Sequence, residues 1–530
     1  MKKWKIKDRP NTSHLEKQLG ISSILATILY QRNIKEVEEA KQFLSPQISH
    51  LHSPFLFPDM EKAINRIKDA IKKRKKMLVW GDEDVDGMTA ASVLFKVLED
   101  LGGNVSYWIP RRATHGIGLS KERMERALEN EEMLIITVDC GSSDGDIVEF
   151  AKEQGIDIIV TDHHEVRHPP NSFAFLNPKG SSYPFKNLAG VGVSLKLTLG
   201  LVDSILGIRT DDFFRVRKDL LPLVLLGTVS DRVSLLGENR ILVKTGLEAF
   251  PNVNQPFIQA IEEVIGVTEP VVEEIFEKIT SVLSAGRGLE TENPLMRFFL
   301  TDSVDEAKEI LGGLLNAQQV FEEEFEVVYR ECVRRINDKG IIVLDGVPFQ
   351  FLGSCASRLV KETERPAILI GHKLGDIYIG EGRAPSDFNL VEFFAQNEEL
   401  FTSFGGHKPA AGFSIKEEHI KSFIKNASKV EYKKEINKGD ILDIDAIVNV
   451  DEFSAGLFEE LMLLSPYGEG NPNPILATMG VKLQKDNSGY RFADISGISI
   501  TARGTATVDK RIDIAYSIDD RGGLKIEDWR

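Results

Sequence analysis

Short apolar runs that end close to an aspartate recur through the first half of the chain. Runs of this length, with few polar interruptions, are typical of strands that are buried on both faces of a parallel sheet. We therefore predict four such strands, each followed by an aspartate. The runs are residues 77–80, 134–138, 156–160 and 220–226, and the aspartates are Asp82, Asp139, Asp162 and Asp231.

Helical patterns separate these runs. Residues 89–101 follow the first run, and residues 120–132 precede the second. This alternation predicts an α/β domain with a doubly wound parallel sheet. Ligands bind outside the carboxyl ends of the strands in such sheets, so the aspartates are expected to converge there. Convergent carboxylates repel one another unless cations lie between them, and the pattern therefore predicts a metal site at this edge.

In the rest of the chain the pattern of apolar and polar residues changes several times, which predicts a multidomain α/β protein. Beyond the first α/β domain lie a mainly helical stretch and then a second, smaller set of strands and helices. The last hundred residues alternate in short segments rich in glycine, as in a small β-barrel or sandwich. The predicted segments are an N-terminal helical segment (1–75), a catalytic α/β domain (76–239), a helical connector (240–337), a smaller α/β domain (338–430) and a β domain (431–530).

The charge and the length of the apolar runs limit the possible functions. A net charge of -16 over 530 residues argues against a protein that coats polyanions, because such binding relies on many Lys and Arg residues. The basic run 72–76 ends a helical pattern, and we favour a solvated helix end over a nucleic-acid contact. No apolar run approaches the roughly 18 residues of a membrane helix, and residues 1–7 lack the apolar region of a secretory signal. We expect a cytoplasmic protein without membrane association.

The cysteines are few and widely separated in the sequence. An odd number without CxxC spacing argues against a disulfide framework and against a zinc site. We expect reduced, mostly structural thiols at Cys140, Cys332 and Cys355.

Residues 81–87 (GDEDVDG) place acids at every second position. The same spacing opens an EF-hand calcium loop, which needs an acidic ligand at its twelfth position and a helix before it. Here the twelfth position is Val93, and a strand precedes the loop. An EF-hand is therefore improbable, and Asp82, Asp84 and Asp86 remain candidate ligands at the sheet edge.

The triplet Asp162-His163-His164 follows the third run directly. A single aspartate at a strand end is as often a helix N-cap or a turn residue as a ligand. Adjacent histidines in the same place favour a metal ligand over a cap or turn residue. Imidazole and carboxylate together suit manganese, iron or zinc, and oxygen ligands suit manganese or magnesium. A two-metal site fits best, and its chemistry is hydrolysis of a phosphoester or phosphoanhydride.

These residues resemble the DHH phosphoesterases, and within them the RecJ exonucleases. The triplet at 162–164 and the acidic loop at 81–87 carry the resemblance to the larger family, and further motifs carry it to the branch. These motifs span nearly the whole chain: residues 19–22, 40–44, 138–141, 188–193, 227–231, 237–240, 356–359, 404–412 and 466–472.

The resemblance implies roles for the acids and histidines. One ion would be held by Asp82, Asp84 and Asp139, and the other by Asp86, Asp139, His163 and Asp231. Asp139 would bridge the two ions, which are expected to be Mn²⁺ or Mg²⁺. His164 would contact the scissile phosphate or protonate the leaving oxygen, while Asp162 would orient a histidine.

The resemblance also implies phosphate contacts outside the metal site. The glycine-rich segment that begins at Gly405, Gly406 and His407 would bind the substrate backbone, because glycine lets backbone N–H groups approach an anion. Its alternative is a helix C-cap followed by a tight turn. The remaining candidates for phosphate contacts are Arg287, Arg358 and Arg383; the alternative for Arg358 and for Arg383 is an ordinary surface ion pair.

The fold that the resemblance implies is a DHH parallel-sheet domain and a smaller DHH-associated domain joined by helices, with a C-terminal OB-like β-barrel. The implied activity is single-stranded-DNA-specific 5′-to-3′ exonuclease action that releases 5′-mononucleotides in DNA repair and recombination. The implied partners are single-stranded DNA, single-strand-binding protein and a helicase, and the implied state is a monomer. Two alternatives stay open: a phosphodiesterase for short oligonucleotides or cyclic dinucleotides, and a DNA-binding scaffold without catalysis.

The chain departs from the family in residues expected to grip the substrate. Residues 280–287 lack an arginine and an asparagine of the usual family segment, and residues 347–350 stand where a Trp-His pair is usual. Thr114 and Ile117 stand where Glu and Tyr are more typical. Because phosphate contacts position the strand, we expect weaker processivity or a preference for shorter substrates.

Overall fold

The computed structural model describes residues 2–111, 118–166, 168–288, 293–337, 340–432, 441–452, 454–486, 489–492, 499–502 and 510–530. The chain divides into two compact units. The first comprises Met1–Leu315 and Leu442–Arg530, and the second comprises Asn316–Ile441. Each unit has its own sheets and its own hydrophobic core.

The N-terminal part of the first unit is mainly helical, as predicted, and adds one short strand. Leu15, Leu25 and Leu29 share a hydrophobic core with Ile514 and Tyr516 of the C-terminal β domain. This part of the chain therefore packs on a region almost five hundred residues away in sequence. Its elements are β1 (Lys3–Ile6), α1 (Ser13–Leu19), α2 (Ser23–Gln31), α3 (Val37–Leu44) and α4 (Met60–Lys72).

A five-stranded parallel sheet forms the centre of the first α/β domain. Three of its strands are the predicted apolar runs. The other two were not predicted from the sequence. The strands are β2 (Lys76–Gly81), β3 (Asn104–Trp108), β4 (Leu134–Val138), β5 (Asp157–Thr161) and β6 (Ala174–Leu176), in the order β3-β2-β4-β5-β6.

Helices follow the strands and complete the predicted doubly wound arrangement. The first of them begins at Asp84, whose carboxylate accepts a hydrogen bond from the Gly87 N–H and so caps the helix. The helices are α5 (Val85–Asp100), α6 (Lys121–Glu129), α7 (Gly145–Glu153), α8 (Gly190–Leu206) and α9 (Thr210–Val216).

The fourth predicted strand is wrong. Residues 220–226 lie instead at the start of a helix, α10 (Leu221–Ser230), whose residues from Leu221 to Val229 are all buried. A helix that is apolar on every side is stable when it is buried on every side, and α10 packs between α5, α8 and the following helix α11 (Gly237–Ala249). A continuous apolar run fits a buried strand and a buried helix equally well.

The predicted helical connector is helical in the described residues. Two of its segments, Ile261–Ile265 and Ile275–Thr280, are π-helical. The α-helices are α12 (Pro256–Ala260), α13 (Val272–Glu274), α14 (Ser281–Ser284), α15 (Leu295–Leu300) and α16 (Val304–Arg335). Short 3-10 helices, within this connector and outside it, include Ile48–His50, Pro54–Leu56, Lys218–Leu220, Phe250–Asn252, Ala285–Gly288, Phe349–Phe351, Glu398–Leu400 and Val450–Glu452.

The second unit contains a five-stranded mixed sheet in the order β10-β11-β9-β8-β7. Strands β7 and β8 pair in parallel, and the other pairs are antiparallel. Gly405 and Gly406 lie within β10, so the alternative of a helix C-cap is wrong. The elements are β7 (Ile342–Leu344), α17 (Leu352–Thr363), β8 (Ala367–Leu374), β9 (Ile377–Arg383), α18 (Leu390–Ala395), β10 (Phe401–His407), β11 (Ala410–Lys416) and α19 (Glu417–Ala427).

The C-terminal strands of the first unit form an OB-like barrel, as predicted. The strand order is β13-β14-β15-β16-β18-β17, and the additional pairing of β14 with β17 closes the ring. The elements are β12 (Ile441–Ile444), which pairs with β1, and β13 (Ala446–Ile447), α20 (Ala455–Met462), β14 (Ile475–Asp486), β15 (Gly489–Phe492), β16 (Ser499–Ala502), β17 (Arg511–Ile518) and β18 (Leu524–Trp529).

Among the helices that the structure describes, none alone is long and apolar enough to span a membrane. The pair α8 and α9 together has the length and composition of a membrane span, but the pair is bent by 96°.

The three cysteines are buried and free.

Arg240 joins three distant parts of the first unit and is 1% exposed. Its guanidinium donates hydrogen bonds to the backbone carbonyls of Phe43 (2.7 Å), Leu463 (2.9 Å) and Ser465 (2.7 Å). We expect Arg240→Ala to lower the free energy of unfolding by about 3–5 kcal/mol, because it leaves several buried carbonyls without donors. Denaturant titration measures the change.

The matched control is Arg215→Ala. Arg215 pairs with Asp212 on the surface, and its side chain is 77% exposed. This change is expected to stay within about 0.5 kcal/mol of the wild type. Equal losses in the two variants would show that Arg240 does not hold these segments together.

Candidate metal centre

The loop after β2 brings three acidic side chains to the carboxyl edge of the sheet. Asp82 is buried, and its Oδ1 accepts a hydrogen bond from the Glu83 N–H at 2.6 Å. Asp84 caps α5 and lies in the same loop. Asp86 is in the first turn of α5, and its two carboxylate oxygens accept the N–H groups of Gly190 (2.7 Å) and Val191 (2.8 Å). The start of α8 therefore fixes the orientation of Asp86.

Asp139 follows β4 with its backbone in the left-handed region, at φ 60°. This conformation is uncommon for a residue other than glycine and costs free energy. The Asp139 N–H donates to the Thr161 carbonyl at 2.9 Å, which continues the pairing of β4 with β5 and holds the strained residue in place. The carboxylate is 2% exposed and lies at the middle of the acidic cluster.

Asp231 reaches the same place from a helix. It is the C-cap residue of α10, so its side chain arrives from the helix end where the sequence predicted the end of a strand. Its Oδ2 lies 3.5 Å from the Nε2 of His163. The predicted convergence of Asp231 with the other aspartates is therefore found, although the element that carries it differs.

The acids and histidines form groups whose potential ligand atoms all lie within 4.8 Å of one another. One group contains Asp82, Asp84 and Asp139, and a second contains Asp86, His163 and Asp231. A third group joins Asp139 and His163 with His164. Asp139 thus belongs to two of these groups and lies 3.1 Å from His163, which also belongs to the group of Asp86 and Asp231.

Two buried atoms at the centre of this cluster have no hydrogen-bond partner among the residues that the structure describes. They are Asp139 Oδ1 and His163 Nε2, 3.1 Å apart. Burial, followed by the neighbouring His164, lowers the pKa of His163 to about 3, so its imidazole is neutral. The Nε2 atom of this neutral ring faces Asp139 Oδ1. Two lone pairs facing each other in a buried place fit a cation between them.

The pKa values of the carboxylates also reflect the crowding of negative charge in the cluster. Burial, and next the charge of Asp231, raises the pKa of Asp86 to about 8. Burial together with Asp86 raises the pKa of Asp139 well above its usual value. Buried like charges shift in this direction when no cation compensates them. Hard carboxylate oxygens with one imidazole are a donor set that suits Mn²⁺ and Mg²⁺.

Asp162 has a different environment from the other aspartates. Although burial acts to raise it, hydrogen bonds from His164 and Ser142 hold the pKa of Asp162 well below its usual value. Asp162 Oδ1 lies 2.8 Å from His164 Nδ1, and its Oδ2 accepts the Ser142 N–H at 2.9 Å. The hydrogen bond to Asp162 raises the pKa of His164, whose side chain is 55% exposed. Asp162 therefore orients His164 and stabilises its protonated form.

Asn177 supports this arrangement and was not identified from the sequence. Its side-chain amide donates to Ser142 Oγ at 2.9 Å and to the His164 carbonyl at 3.0 Å. We expect Asn177→Ala to lower the rate of hydrolysis about 10–100-fold, the usual effect of losing a group that orients site residues. Steady-state kinetics beside the surface control Asn171→Ala measures this, and equal rates in the two variants would contradict it.

Two of the predicted phosphate-binding arginines, Arg358 and Arg383, have partners within the second unit. Arg358 forms ion pairs with Glu326 and Glu362 and lies over the ring of Tyr329. Arg383 lies 3.3 Å from Glu381. The ion pairs named as their alternative are thus present, and phosphate binding by either arginine remains a prediction.

Several predicted residues fall outside the described part of the chain. Thr114 and Ile117 are not described, and the side chains of Arg287 and His407 are not described either. Their roles stay predictions. The basic run 72–76 lies at the end of α4 and the start of β2, opposite the carboxyl edge that carries the acids.

A cavity of about 440 Å³ opens beside the acidic cluster. Asp84, Asp86 and Asp231 line it together with Phe276 and Ser281. Its size suits part of a nucleotide. The acids thus face a space that a substrate can enter.

Family models match three parts of the chain. The DHH family N-terminal domain matches residues 76–228, the DHHA1 domain matches residues 337–432, and the RecJ OB domain matches residues 444–488. The chain belongs to the RecJ branch of the DHH family. The DHH match covers the parallel sheet and all the acids and histidines of the cluster except Asp231.

Relatives within this branch are similar over most of the chain. The single-stranded-DNA-specific exonuclease RecJ of Bacillus subtilis is 29% identical over 489 residues, which is 89% of this chain. RecJ of Thermus thermophilus is 31% identical over 429 residues, which is 79% of this chain. The chain spans 61% of the length of each of these relatives.

Solved RecJ structures share the fold. RecJ from Thermus thermophilus in complex with Mn²⁺ matches with a TM-score of 0.80 at 24% identity, over 100% of this chain and 79% of that chain. Another exonuclease RecJ, bound to manganese, matches with a TM-score of 0.62 at 28% identity, over 72% of this chain and 97% of that chain.

Proposed function

We propose that the protein is a metal-dependent, single-stranded-DNA-specific exonuclease that works in the 5′-to-3′ direction and releases 5′-mononucleotides. The observation that carries this proposal is the cluster in which two ligand groups meet at Asp139, beside a cavity open to substrate. The relatives named as single-stranded-DNA-specific exonucleases support the choice of substrate. The direction of degradation rests on the family resemblance of the sequence motifs alone.

The donor set fits two divalent cations, and we propose Mn²⁺ or Mg²⁺. The 28% identical RecJ structure was bound to manganese. Asp82, Asp84 and Asp139 would hold one ion, and Asp86, Asp139, His163 and Asp231 the other. A pair of such ions neutralises charge on a phosphoryl group and makes water a better nucleophile near neutral pH.

The protein's own residues position the reacting groups. The N–H groups of Gly190 and Val191 fix Asp86, and the strained backbone of Asp139 fixes the shared carboxylate. In hydrolysis the oxygen of water bonds to phosphorus while the bond from phosphorus to the 3′ oxygen breaks. His164 donates its proton to that leaving 3′ oxygen, since Asp162 holds the ring and favours its protonated form.

The wider setting follows from the substrate. A single-stranded-DNA exonuclease acts in DNA repair and recombination, and we propose single-strand-binding protein and a helicase as partners because they shield and supply such strands. We also propose a cytoplasmic monomer. The segment boundaries at 75, 239, 337 and 430 are proposed as domain limits.

One assay separates this function from its alternatives. The purified protein is incubated with Mn²⁺ or Mg²⁺ and with single strands labelled at the 5′ or 3′ end, beside duplexes, RNA and dinucleotides. We expect the 5′ label to appear at once in a mononucleotide. The strand that carries the 3′ label is expected to shorten step by step. Faster cleavage of dinucleotides than of long strands would favour a phosphodiesterase for short substrates. DNA binding without metal-dependent cleavage would favour a scaffold.

A further inference from the structure

Arg232 follows Asp231 in a backbone conformation that favours glycine. Its φ is 53°, at the C-terminal end of α10, where the Arg232 N–H donates to the Val229 carbonyl. Helices often end in this left-handed conformation, and glycine is the usual residue there because it carries no Cβ. Arginine at this position costs backbone free energy. Strain retained beside a reactive site suggests a function for the side chain.

The guanidinium of Arg232 lies over an aromatic ring. Its guanidinium carbon lies 3.7 Å from the centroid of the Phe276 ring. Within the described residues Arg232 forms no side-chain hydrogen bond and no ion pair. A stacked guanidinium keeps its edge N–H groups available in a fixed plane, which matches the geometry of phosphate oxygens.

The guanidinium of Arg232 lies among acidic side chains in the cavity beside the cluster. Arg232 is the single basic residue that lines the described cavity, which also presents the carboxylates of Asp84, Asp86, Asp231 and Glu277. An anionic cavity repels the backbone of a nucleic acid, and a positive group at its wall offsets that repulsion.

We propose that Arg232 binds a phosphodiester group of the single strand, next to the group that is hydrolysed, and so positions the strand at the acidic cluster. This inference rests on the proposed function and assigns it a further substrate-contacting residue. Phe276 acts as a positioning residue, because its ring fixes the plane of the guanidinium. The contact gives affinity without base specificity, since every nucleotide presents the same phosphate.

The chain offers a matched pair of variants for the test, Arg232→Gly and Arg74→Gly. Arg74 is also exposed and left-handed, at φ 51°, just after α4. It precedes β2, so the length of that strand, about 20 Å, separates it from the acids. Both variants remove one positive charge and one strained arginine. Only Arg232→Gly removes a cation from the cavity.

Binding and turnover are measured on the same labelled oligothymidylate. Binding is followed by fluorescence anisotropy with EDTA present, so that no cleavage occurs. We expect Arg232→Gly to weaken binding about tenfold and to reduce the slope of log Kd against log salt by about 0.7, the effect of one lost phosphate contact on a single strand. In turnover KM rises by a similar factor while kcat changes less than about twofold. Arg74→Gly leaves all of these values at the wild-type level.

Folding and metal binding are checked in parallel. The unfolding temperature of Arg232→Gly is expected to be no lower than that of the wild type, because glycine relieves the left-handed strain. Its Mn²⁺ affinity is expected to be unchanged. A strand with a neutral methylphosphonate in place of the contacted phosphate would bind wild type and Arg232→Gly equally well.

The possible outcomes are distinct. Equal losses in Arg232→Gly and Arg74→Gly would overturn the assignment, because general charge would explain them. A fall in kcat with KM and binding unchanged would also overturn it. If the wild type binds the strand in an Arg232-dependent way but does not cleave it, the exonuclease proposal fails and the Arg232 contact stands. If the wild type cleaves the strand and Arg232→Gly equals it in binding and turnover, the Arg232 assignment fails and the exonuclease proposal stands.

Discussion

Replacing Asp139 with asparagine is expected to lower kcat by at least about 10³-fold, the scale on which a catalytic unit loses one of its members. Asp139 is the side chain shared between ligand groups, so its loss affects both proposed ions. Asparagine has nearly the same shape but a neutral side chain that binds hard cations more weakly. The measurement is initial rate with saturating Mn²⁺ on a labelled single strand.

The stability of the same variant provides its control. Without metal, Asp139→Asn is expected to unfold at no lower temperature than the wild type, because it removes one buried like charge near Asp82, Asp86 and Asp231. With Mn²⁺ at about a hundred times its Kd, the wild type gains about 2.7 kcal/mol per bound ion, and the variant gains much less. Normal activity in a folded variant would contradict the role of Asp139.

Gly190→Ala is expected to give the second large effect, a fall in activity of about 10²-fold. A Cβ at Gly190 would lie 2.5 Å from Asp139 Oδ1 and 2.6 Å from Asp139 Cβ, too close for either atom to remain in place. Asp139 is already strained, and the Gly190 N–H also holds Asp86. A displacement of about 1 Å at a catalytic group is enough for a loss of this size.

The control for this variant is Gly145→Ala. Gly145 and Gly190 are each the first residue of a helix, but a Cβ at Gly145 meets no atom within 4 Å. Gly145→Ala is expected to retain full activity and to stabilise the protein by about 0.4–1 kcal/mol, because alanine has fewer unfolded conformations. Mn²⁺ titration and initial rates on both proteins measure the difference. Wild-type Mn²⁺ affinity in Gly190→Ala would show that the site can absorb the methyl group.

The sequence predicted the three central strands and the edge at which the acids meet. Strands β2, β4 and β5 are buried in a parallel sheet, so their apolar runs are continuous and easy to identify. Their order in the sheet places the residues that follow them side by side. The convergence of Asp82, Asp139 and Asp162 was therefore predictable without a structure.

Other elements could not be predicted for physical reasons. The run before Asp231 is apolar on every side, and helix and strand are not distinguished by such a pattern. Strand β3 was missed because it is only partly buried, with Asn104 and Ser106 among its residues. Strand β6 is only three residues long.

Parts of the site depend on backbone geometry that side-chain patterns do not encode. The N–H groups of Gly190 and Val191 that hold Asp86 come from a motif that was noted only as a family resemblance. The left-handed conformations of Asp139 and Arg232 leave no periodic signal in the sequence. Asn177 was also overlooked, because a lone asparagine before a proline predicts a turn.

The claim that two cations share Asp139 is tested most directly by electron paramagnetic resonance of the Mn²⁺-loaded protein, with metal stoichiometry measured on the same sample. Ions in a two-metal site lie roughly 3.5–4 Å apart, close enough for their spins to couple. We predict two Mn²⁺ ions per chain with a coupled spectrum in the wild type, and loss of that coupling in Asp139→Asn. A single ion per chain, or two ions with independent spectra, would contradict the shared site.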